Sequence, residues 1–197
     1  MRKYIPNILT FGRCVLTVIF LVMILQSPSA QNKSLTLDIA FVIFVIAGIT
    51  DLIDGAVARR LGVDSKFGRM MDPLADKILV CGSFICFAVI KEPKLFDLSP
   101  VANSIILWSV VGIIVLREVY VTTIRHIAEA KGINFAATSS GKIKMFIQTF
   151  AIGTVIIKAA HLPNAGWGYW FTAIVFALML VVTVFSGITA TKRIEDW

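Results

Sequence analysis

The chain has 197 residues, of which 57% are hydrophobic and 16% are charged, and its mean hydropathy is +0.85. Soluble domains are usually about 45–50% apolar and about 25% charged, so this composition, gathered in long apolar runs, excludes a soluble domain with a large core. The formal net charge is +7, but no soluble basic stretch with aromatic residues accompanies it, so nucleic-acid binding is not expected. A basic membrane face would instead attract anionic lipids and phosphorylated substrates.

Six apolar runs are long enough to span a bilayer, which takes about 20 mostly apolar residues. In chain order, the predicted spans are residues 8–26, 37–53, 73–90, 101–124, 143–160 and 169–188. Residues 4–11 carry aromatic side chains and are flanked by the basic residues Arg2, Lys3 and Arg13, a combination suited to the headgroup layer, which predicts a short N-terminal interfacial segment. The expected fold class is therefore all-α integral membrane, with six transmembrane helices in a single domain of residues 1–197.

The basic residues are divided unevenly between the two predicted sides of the membrane. The segments on the first side, residues 55–71 and 126–142, together hold six Lys and Arg residues, and those on the second side, residues 27–34, 91–100 and 161–168, together hold three. With the helix ends included, fifteen Lys and Arg residues fall on the first side and four on the second. Cytoplasmic loops carry such an excess, so both termini are predicted inside, in a multi-pass protein of the cytoplasmic membrane.

Four aspartates stand at the predicted inner ends of the second and third spans. Asp51 and Asp54 are three residues apart, and Asp72 and Asp76 are four apart, so each pair shares a helix face. Two antiparallel neighbouring helices would point the pairs at each other, and such acids are costly in a membrane unless they are neutralised. Hard cations prefer carboxylate oxygens, and paired ions recur in phosphoryl chemistry. We expect these aspartates to bind two divalent metal ions, Mg²⁺ or Mn²⁺.

The residues between the acids also suit a nucleotide. Gly55, Ala58 and Gly68 lack bulk and would let a ligand approach the helix backbones, and Arg59 is placed to pair with a diphosphate. Taken singly, such residues have plainer explanations: Asp72 before a proline fits a helix N-cap, and Gly and Ala in spanning helices usually serve packing. These explanations do not account for the acids, the arginine and the small residues together.

The segment 51–76 resembles the signature of the CDP-alcohol phosphatidyltransferases, D-x2-D-G-x2-A-R-x8-G-x3-D-x3-D. Every fixed position is filled with the required spacing, by Asp51, Asp54, Gly55, Ala58, Arg59, Gly68, Asp72 and Asp76. The resemblance implies the CDP-alcohol phosphotransferase fold, a homodimer and a polar cavity that faces the cytoplasm. It further implies transfer of a phosphatidyl group from a CDP-activated lipid to a small alcohol, with release of CMP.

The same resemblance implies a role for each matched residue. The first three aspartates would bind the metal ions, and Asp76 would contact a metal ion and act as general base on the acceptor hydroxyl. The residues that would border the CDP group are Gly55, Ala58, Arg59 and Gly68.

Three further segments are similar to the bacterial phosphatidylglycerophosphate synthase subfamily. The first is residues 6–13, which contain Asn7, Thr10 and Arg13. The second is Arg117 and Glu118 together with Arg125, and the third is residues 141–148, which end in Gln148. That subfamily joins CDP-diacylglycerol to sn-glycerol 3-phosphate, giving phosphatidylglycerophosphate and CMP. The resemblance therefore implies these substrates and a part in phospholipid biosynthesis.

A phosphorylated acceptor requires cations, and an arginine can offer phosphate a bidentate fork. Arg117, Arg125, Lys142 and Lys144 lie near the predicted cytoplasmic ends of the fourth and fifth spans, and they are the candidates for binding the acceptor phosphate. The plain alternative is anchoring by the positive-inside rule. Arg117 fits that alternative least, because it and Glu118 lie within an apolar run.

Two alternatives stay open at this stage. The first is the same family with another acceptor, such as inositol phosphate, serine or phosphatidylglycerol, although a cation-rich pocket disfavours free serine. The second is a divalent-cation transporter, in which the acids should lie near the bilayer midplane along a pore. Here the acids gather at one membrane edge beside Arg59, which disfavours an ion path.

Overall fold

The computed structural model describes the backbone of residues 5–61, 66–96, 98–132 and 139–195, and the side chains of residues 10–50, 73–96, 98–128, 130–132 and 140–192. The regular structure in these ranges is helical, as predicted. The helices are α1 Ile5–Gln26, α2 Lys33–Leu61, α3 Lys66–Val89, α4 Pro100–Ala130, α5 Ser139–His161 and α6 Gly166–Glu195, and a single 3-10 turn, Ser27–Ser29, follows α1.

The helices extend past the predicted span boundaries, most of all at charged ends. The predicted boundaries followed hydropathy, but backbone hydrogen bonding continues through charged residues, so α2 reaches Leu61 and α4 reaches Ala130. α3 begins at Lys66, which places Pro73 inside the helix. The alternative in which Asp72 caps the start of a helix is therefore wrong.

The chain is a multi-pass membrane protein. Within the described residues, five segments are long and apolar enough to cross a bilayer: Thr10–Ser29, Lys33–Thr50, Pro100–Ala128, Ser140–His161 and Gly166–Lys192. α3 is not among them, so a sixth span stays a prediction. From Ile5 onward α1 has no break, so the segment 4–11 is not a separate helix there, and its interfacial position also stays a prediction.

The six helices pack as a closed ring. α1 lies between α2 and α3, α4 lies between α3 and α6, and α5 completes the ring between α6 and α2, while α3 and α5 also meet across the middle. Aromatic pairs fill the core, with ring centroids 5.3 Å apart for Phe20 and Phe44 and 6.1 Å apart for Phe84 and Phe176. Large apolar side chains such as Phe146 and Leu116 are exposed on the outside, which suits contact with lipid.

Successive helices run in opposite directions, so the bundle has two ends. One end carries Arg13, Asp76 and Lys144, and is called the Asp76 end. The other carries Lys158 and the ion pair between Lys33 and Glu92, whose Nζ and Oε1 are 2.9 Å apart, and is called the Lys158 end.

At the Lys158 end, the connection between α3 and α4 is held by the buried side chain of Asn103. Its Oδ1 accepts a hydrogen bond from the Leu95 N–H at 3.1 Å. Its Nδ2 donates to the carbonyl oxygens of Lys91 and Pro93, each at 3.4 Å. One amide therefore fixes three backbone groups of the loop.

Replacing Asn103 with alanine should destabilise the fold, because the buried Leu95 N–H loses its acceptor. We expect Asn103→Ala to lower the free energy of unfolding by about 1–3 kcal/mol, measured by thermal unfolding of the purified protein in detergent. Ser109→Ala is the matched control, since Ser109 is an exposed residue of the same helix that bonds only to its own helix backbone. Equal melting temperatures for the two variants would contradict the assigned role of Asn103.

Candidate functional site

An ion pair between α1 and α3 forms the first part of the site. Arg13 Nη1 donates to Asp76 Oδ1 at 3.1 Å. The arginine side chain is only 1% exposed, whereas that of Asp76 is 30% exposed. The arginine therefore holds the carboxylate from inside the bundle, while the carboxylate remains accessible at the Asp76 end.

The position of Arg13 follows from the pattern of α1. Thr10, Arg13 and Thr17 lie three and four residues apart, so they share one helix face, and all three are buried. Further along α1 the buried residues become apolar, with Phe20 and Ile24. A buried guanidinium is costly unless an opposite charge is near, and α3 supplies that charge through Asp76. Asn7 belongs to the same predicted motif, but its side chain lies outside the described residues.

A second charged cluster joins α4 and α5. Glu118 Oε1 accepts a hydrogen bond from Arg117 Nη1 at 2.9 Å and another from Lys144 Nζ. The side chains of Arg117 and Glu118 are each 12% exposed, and Lys144 is buried. Ionisable residues inside a membrane bundle usually face one another or a polar cavity and mark functional paths.

Both clusters lie near α3, because α1, α4 and α5 all contact this helix. Cys81 on this helix is within electrostatic reach of Glu118, Lys144 and Lys77, and Lys77 is next to Asp76 in the chain. The Asp76 carboxylate and the Arg117–Glu118–Lys144 cluster therefore occupy the same end of the bundle.

A buried amide extends the second cluster into the bundle. Gln148 follows Lys144 by four residues on α5, and its Nε2 donates to Thr183 Oγ1 of α6 at 3.3 Å. Its Oε1 is buried without a hydrogen-bond partner in the part of the chain that the structure describes. The Gln148 Oε1 is therefore a buried acceptor that could take a hydrogen bond from a ligand near Lys144.

The four candidate cations for the acceptor phosphate are in different surroundings. Arg117 and Lys144 are brought together by Glu118. Arg125 is half-buried roughly two turns further along α4, and among the described residues no group accepts a hydrogen bond from its Nε. Lys142 is exposed, so the structure does not bring it into the cluster.

The structure does not describe the side chains of the other signature residues. These residues are Asp51, Asp54, Gly55, Ala58, Arg59, Gly68 and Asp72. The backbone at both pairs of aspartates is helical, which agrees with the spacing argument that each pair shares a face. Within the described residues no group of three or more His, Cys, Asp or Glu side chains could bind a metal ion. The metal site at the four aspartates stays a prediction.

Two features of the site were not predicted from the sequence. The contact between Arg13 and Asp76 was missed, although an arginine flanked by Thr10 and Thr17 at helical spacing is a signal for a polar stripe. Glu118 adjoins the candidate Arg117, but it was not predicted as a site residue. Its signal was an acid inside an apolar run, which requires a partner cation.

Comparisons with known proteins extend over nearly the whole chain. The family model described as CDP-alcohol phosphatidyltransferase matches residues 3–190. A probable phosphatidylglycerophosphate synthase of Mycobacterium tuberculosis is 33% identical over 189 residues, which cover 96% of this chain and 80% of the relative. A CDP-diacylglycerol–glycerol-3-phosphate 3-phosphatidyltransferase of Bacillus subtilis is 31% identical over 190 residues, covering 93% and 91%, and that of Rickettsia typhi is 29% identical over 187 residues, covering 94% and 92%.

Removing the shared carboxylate of the second cluster should destabilise the protein. Glu118→Gln leaves Lys144 buried beside Arg117 without a counter-charge, so we expect the free energy of unfolding to fall by about 3 kcal/mol. Asp38→Asn is the control, because Asp38 Oδ1 pairs with His161 Nε2 at 2.7 Å with both side chains about half exposed. The control should lose less than about 1 kcal/mol. Similar losses in the two variants, measured by denaturant unfolding in detergent, would contradict the importance of the buried cluster.

Proposed function

Because the chain belongs to the CDP-alcohol phosphatidyltransferase family, we propose that it transfers the phosphatidyl group from CDP-diacylglycerol to sn-glycerol 3-phosphate, giving phosphatidylglycerophosphate and CMP. It is a transferase, and the predicted membership of the family is confirmed. The single observation that carries the proposal is a partly exposed carboxylate, Asp76, at the same end of the bundle as a buried cluster of cations. The names of the relatives support the same acceptor.

Asp76 is the proposed general base. Its carboxylate would accept the proton of the acceptor hydroxyl, and the acceptor oxygen would attack the phosphorus of the lipid-linked phosphate. The bond from that phosphorus to the oxygen of CMP breaks, and CMP leaves. A base has to be positioned within hydrogen-bond reach of the proton that it takes, and the guanidinium of Arg13 fixes one carboxylate oxygen. In this proposal Arg13 is a positioning residue.

The family is generally dependent on divalent metal ions. We assign two ions, Mg²⁺ or Mn²⁺, to Asp51, Asp54, Asp72 and Asp76, because an all-carboxylate set suits hard cations and the backbone at each pair is helical. When bound, such ions stabilise negative charge on the phosphates and on the leaving group. The residues proposed to border the CDP group remain Gly55, Ala58, Arg59 and Gly68.

The substrates set the position of the site in the membrane. CDP-diacylglycerol arrives from the bilayer and glycerol 3-phosphate arrives from water, so the reaction needs a cavity at the interface. In our proposal the Asp76 end and both termini face the cytoplasm, a placement that the excess of Lys and Arg on that side supports. The protein would act as a homodimer, as the family resemblance implies.

The acceptor phosphate would bind at the cations of the Asp76 end. Arg117 and Lys144 are held by Glu118, and Arg125 has a buried Nε with no described acceptor, so Arg125 has donor capacity for a phosphate. Lys142 is exposed and would act at longer range. Inositol phosphate and phosphatidylglycerol also carry a phosphate and remain alternative acceptors, while free serine carries none and is disfavoured. A divalent-cation transporter is disfavoured because the family is one of transferases.

The proposed base is tested by Asp76→Asn, which keeps the shape of the side chain but cannot take up the proton. We expect CMP release from CDP-diacylglycerol, Mg²⁺ and glycerol 3-phosphate to fall by about 100-fold or more, in purified protein with unchanged helix content. Asp38→Asn makes the same chemical change at the Lys158 end and should keep its activity.

Three results would overturn parts of this proposal. Near-normal turnover by Asp76→Asn would remove Asp76 as the base. CMP release with inositol phosphate or serine, and none with glycerol 3-phosphate, would keep the family and discard the acceptor. No release with any of the three acceptors would contradict the proposed reaction.

The acceptor site is tested by Arg125→Gln. The loss of one charge-assisted hydrogen bond to phosphate, about 1.5–3 kcal/mol, should raise KM for glycerol 3-phosphate by about tenfold or more, with KM for CDP-diacylglycerol little changed. Lys131→Gln is the control, since Lys131 is an exposed cation in the turn that follows α4. If both variants bind glycerol 3-phosphate as the wild type does, Arg125 does not contact the acceptor phosphate.

A further inference from the structure

A groove with apolar walls lies on the outside of the bundle between α2, α5 and α6, well away from Asp76. Its volume is about 350 Å³, and aromatic side chains form much of its wall, including Phe41, Phe44, Phe150 and Phe171. Along α5 it extends from Thr149 to Lys158, a rise of roughly 14 Å. This shape and lining suit a single hydrocarbon chain more than a compact polar ligand.

The groove opens toward the surroundings of the bundle. Phe150, Ile157, Trp167 and Phe171 line it and are also exposed. These residues lie in segments that are long and apolar enough to span the bilayer, so the groove faces the lipid. At the Lys158 end the groove reaches the start of α6, which carries Trp167, Tyr169 and Trp170. A cluster of Trp and Tyr residues is typical of the membrane–water interface.

One end of the groove carries a buried cation. The side chain of Lys158 lines the groove and is 3% exposed. Its Nζ donates to the Lys94 carbonyl oxygen at 2.8 Å and lies 4.4 Å from the centroid of the Tyr169 ring. No carboxylate of the described residues is within ion-pair distance of the Lys158 Nζ, and the nearby Glu92 is paired with Lys33.

A buried ammonium without a carboxylate is costly, and the cations around it outnumber the acids. Among the described residues, Lys33 and Lys94 repel the charge of Lys158 and Glu92 attracts it, while Asp38 at the same end is paired with His161. An ammonium has three hydrogens to donate, and a carbonyl oxygen and the face of a ring leave its positive charge unneutralised. An anionic group at this end of the groove would neutralise it.

We propose that this groove is a binding site for an anionic glycerophospholipid of the leaflet at the Lys158 end. One acyl chain lies in the groove along α5, and the phosphate of the headgroup pairs with Lys158. The site is separate from the proposed reaction at Asp76 and does not depend on it. The lipid would act as a structural ligand that joins α2, α5 and α6.

The proposal is tested by comparing phosphatidylglycerol with phosphatidylcholine of the same acyl chains. The full-length protein in detergent is titrated with each lipid, and binding is followed by thermal shift and by native mass spectrometry. We expect phosphatidylglycerol to bind more tightly. Lys158→Gln should weaken the binding of phosphatidylglycerol by about fivefold, which corresponds to about 1 kcal/mol for one lysine at the membrane surface. The binding of phosphatidylcholine should be unchanged. Lys91→Gln is the control, since Lys91 is exposed near the same end and does not line this groove.

A second variant tests the groove itself. Thr154→Phe places a ring in the groove and should weaken the binding of both lipids. Ser109→Phe adds the same bulk at an exposed position of α4 and should leave the binding of both lipids unchanged. Unchanged lipid binding by Thr154→Phe, or a retained phosphatidylglycerol preference in Lys158→Gln, overturns the proposal. A changed oligomeric state in Thr154→Phe without a change in lipid binding assigns the groove to a second copy of the chain and also overturns it. Should Lys158→Gln fail to fold, equal affinity of the wild type for the two lipids decides against the site.

Discussion

The burial of Arg13 is the constraint on which the Asp76 end of the molecule depends. A guanidinium inside a membrane-spanning helix is stable only where an opposite charge is close, and Asp76 provides that charge from α3 at 3.1 Å. The pairing fixes the rotation of α1 about its own axis and its height against α3. It also holds one oxygen of the Asp76 carboxylate while the side chain stays 30% exposed at this end of the bundle. The fold and the proposed chemistry therefore depend on the same contact.

The two ends of the bundle neutralise their charges differently. At the Asp76 end, acids on α3 and α4 meet cations on α1 and α5, so the ion pairs join different helices across the ring. At the Lys158 end, Lys33 and Glu92 form a pair, but among the described residues the buried Lys158 contacts a carbonyl oxygen and an aromatic ring and no carboxylate. This difference fits the two proposals, in which the Asp76 end binds a water-soluble phosphate and the Lys158 end binds a lipid headgroup.

Much of the fold could be predicted from hydropathy, because each apolar run becomes a helix that satisfies its own backbone in lipid. The helix ends could not, since α2, α3 and α4 continue through charged residues that lower the hydropathy without breaking the helix. The spacing of the signature aspartates pointed to the family, which the family match confirms, while their role as metal ligands stays a prediction. The pairing of Arg13 with Asp76 and the place of Glu118 between Arg117 and Lys144 depend on which helices are neighbours, and one-dimensional periodicity carries no such information.

The shared carboxylate of Glu118 has a consequence for the cost of binding. Long cationic side chains lose rotamer freedom when a ligand fixes them, and each one costs about 0.5–1.5 kcal/mol on binding. In this bundle Glu118 already restrains Arg117 and Lys144, so folding bears that entropic cost before any acceptor arrives. In the proposed reaction, the acceptor phosphate would meet a preorganised pair of cations and would need to order only Arg125. A loosely held set of the same charges would give the same electrostatic attraction with weaker binding.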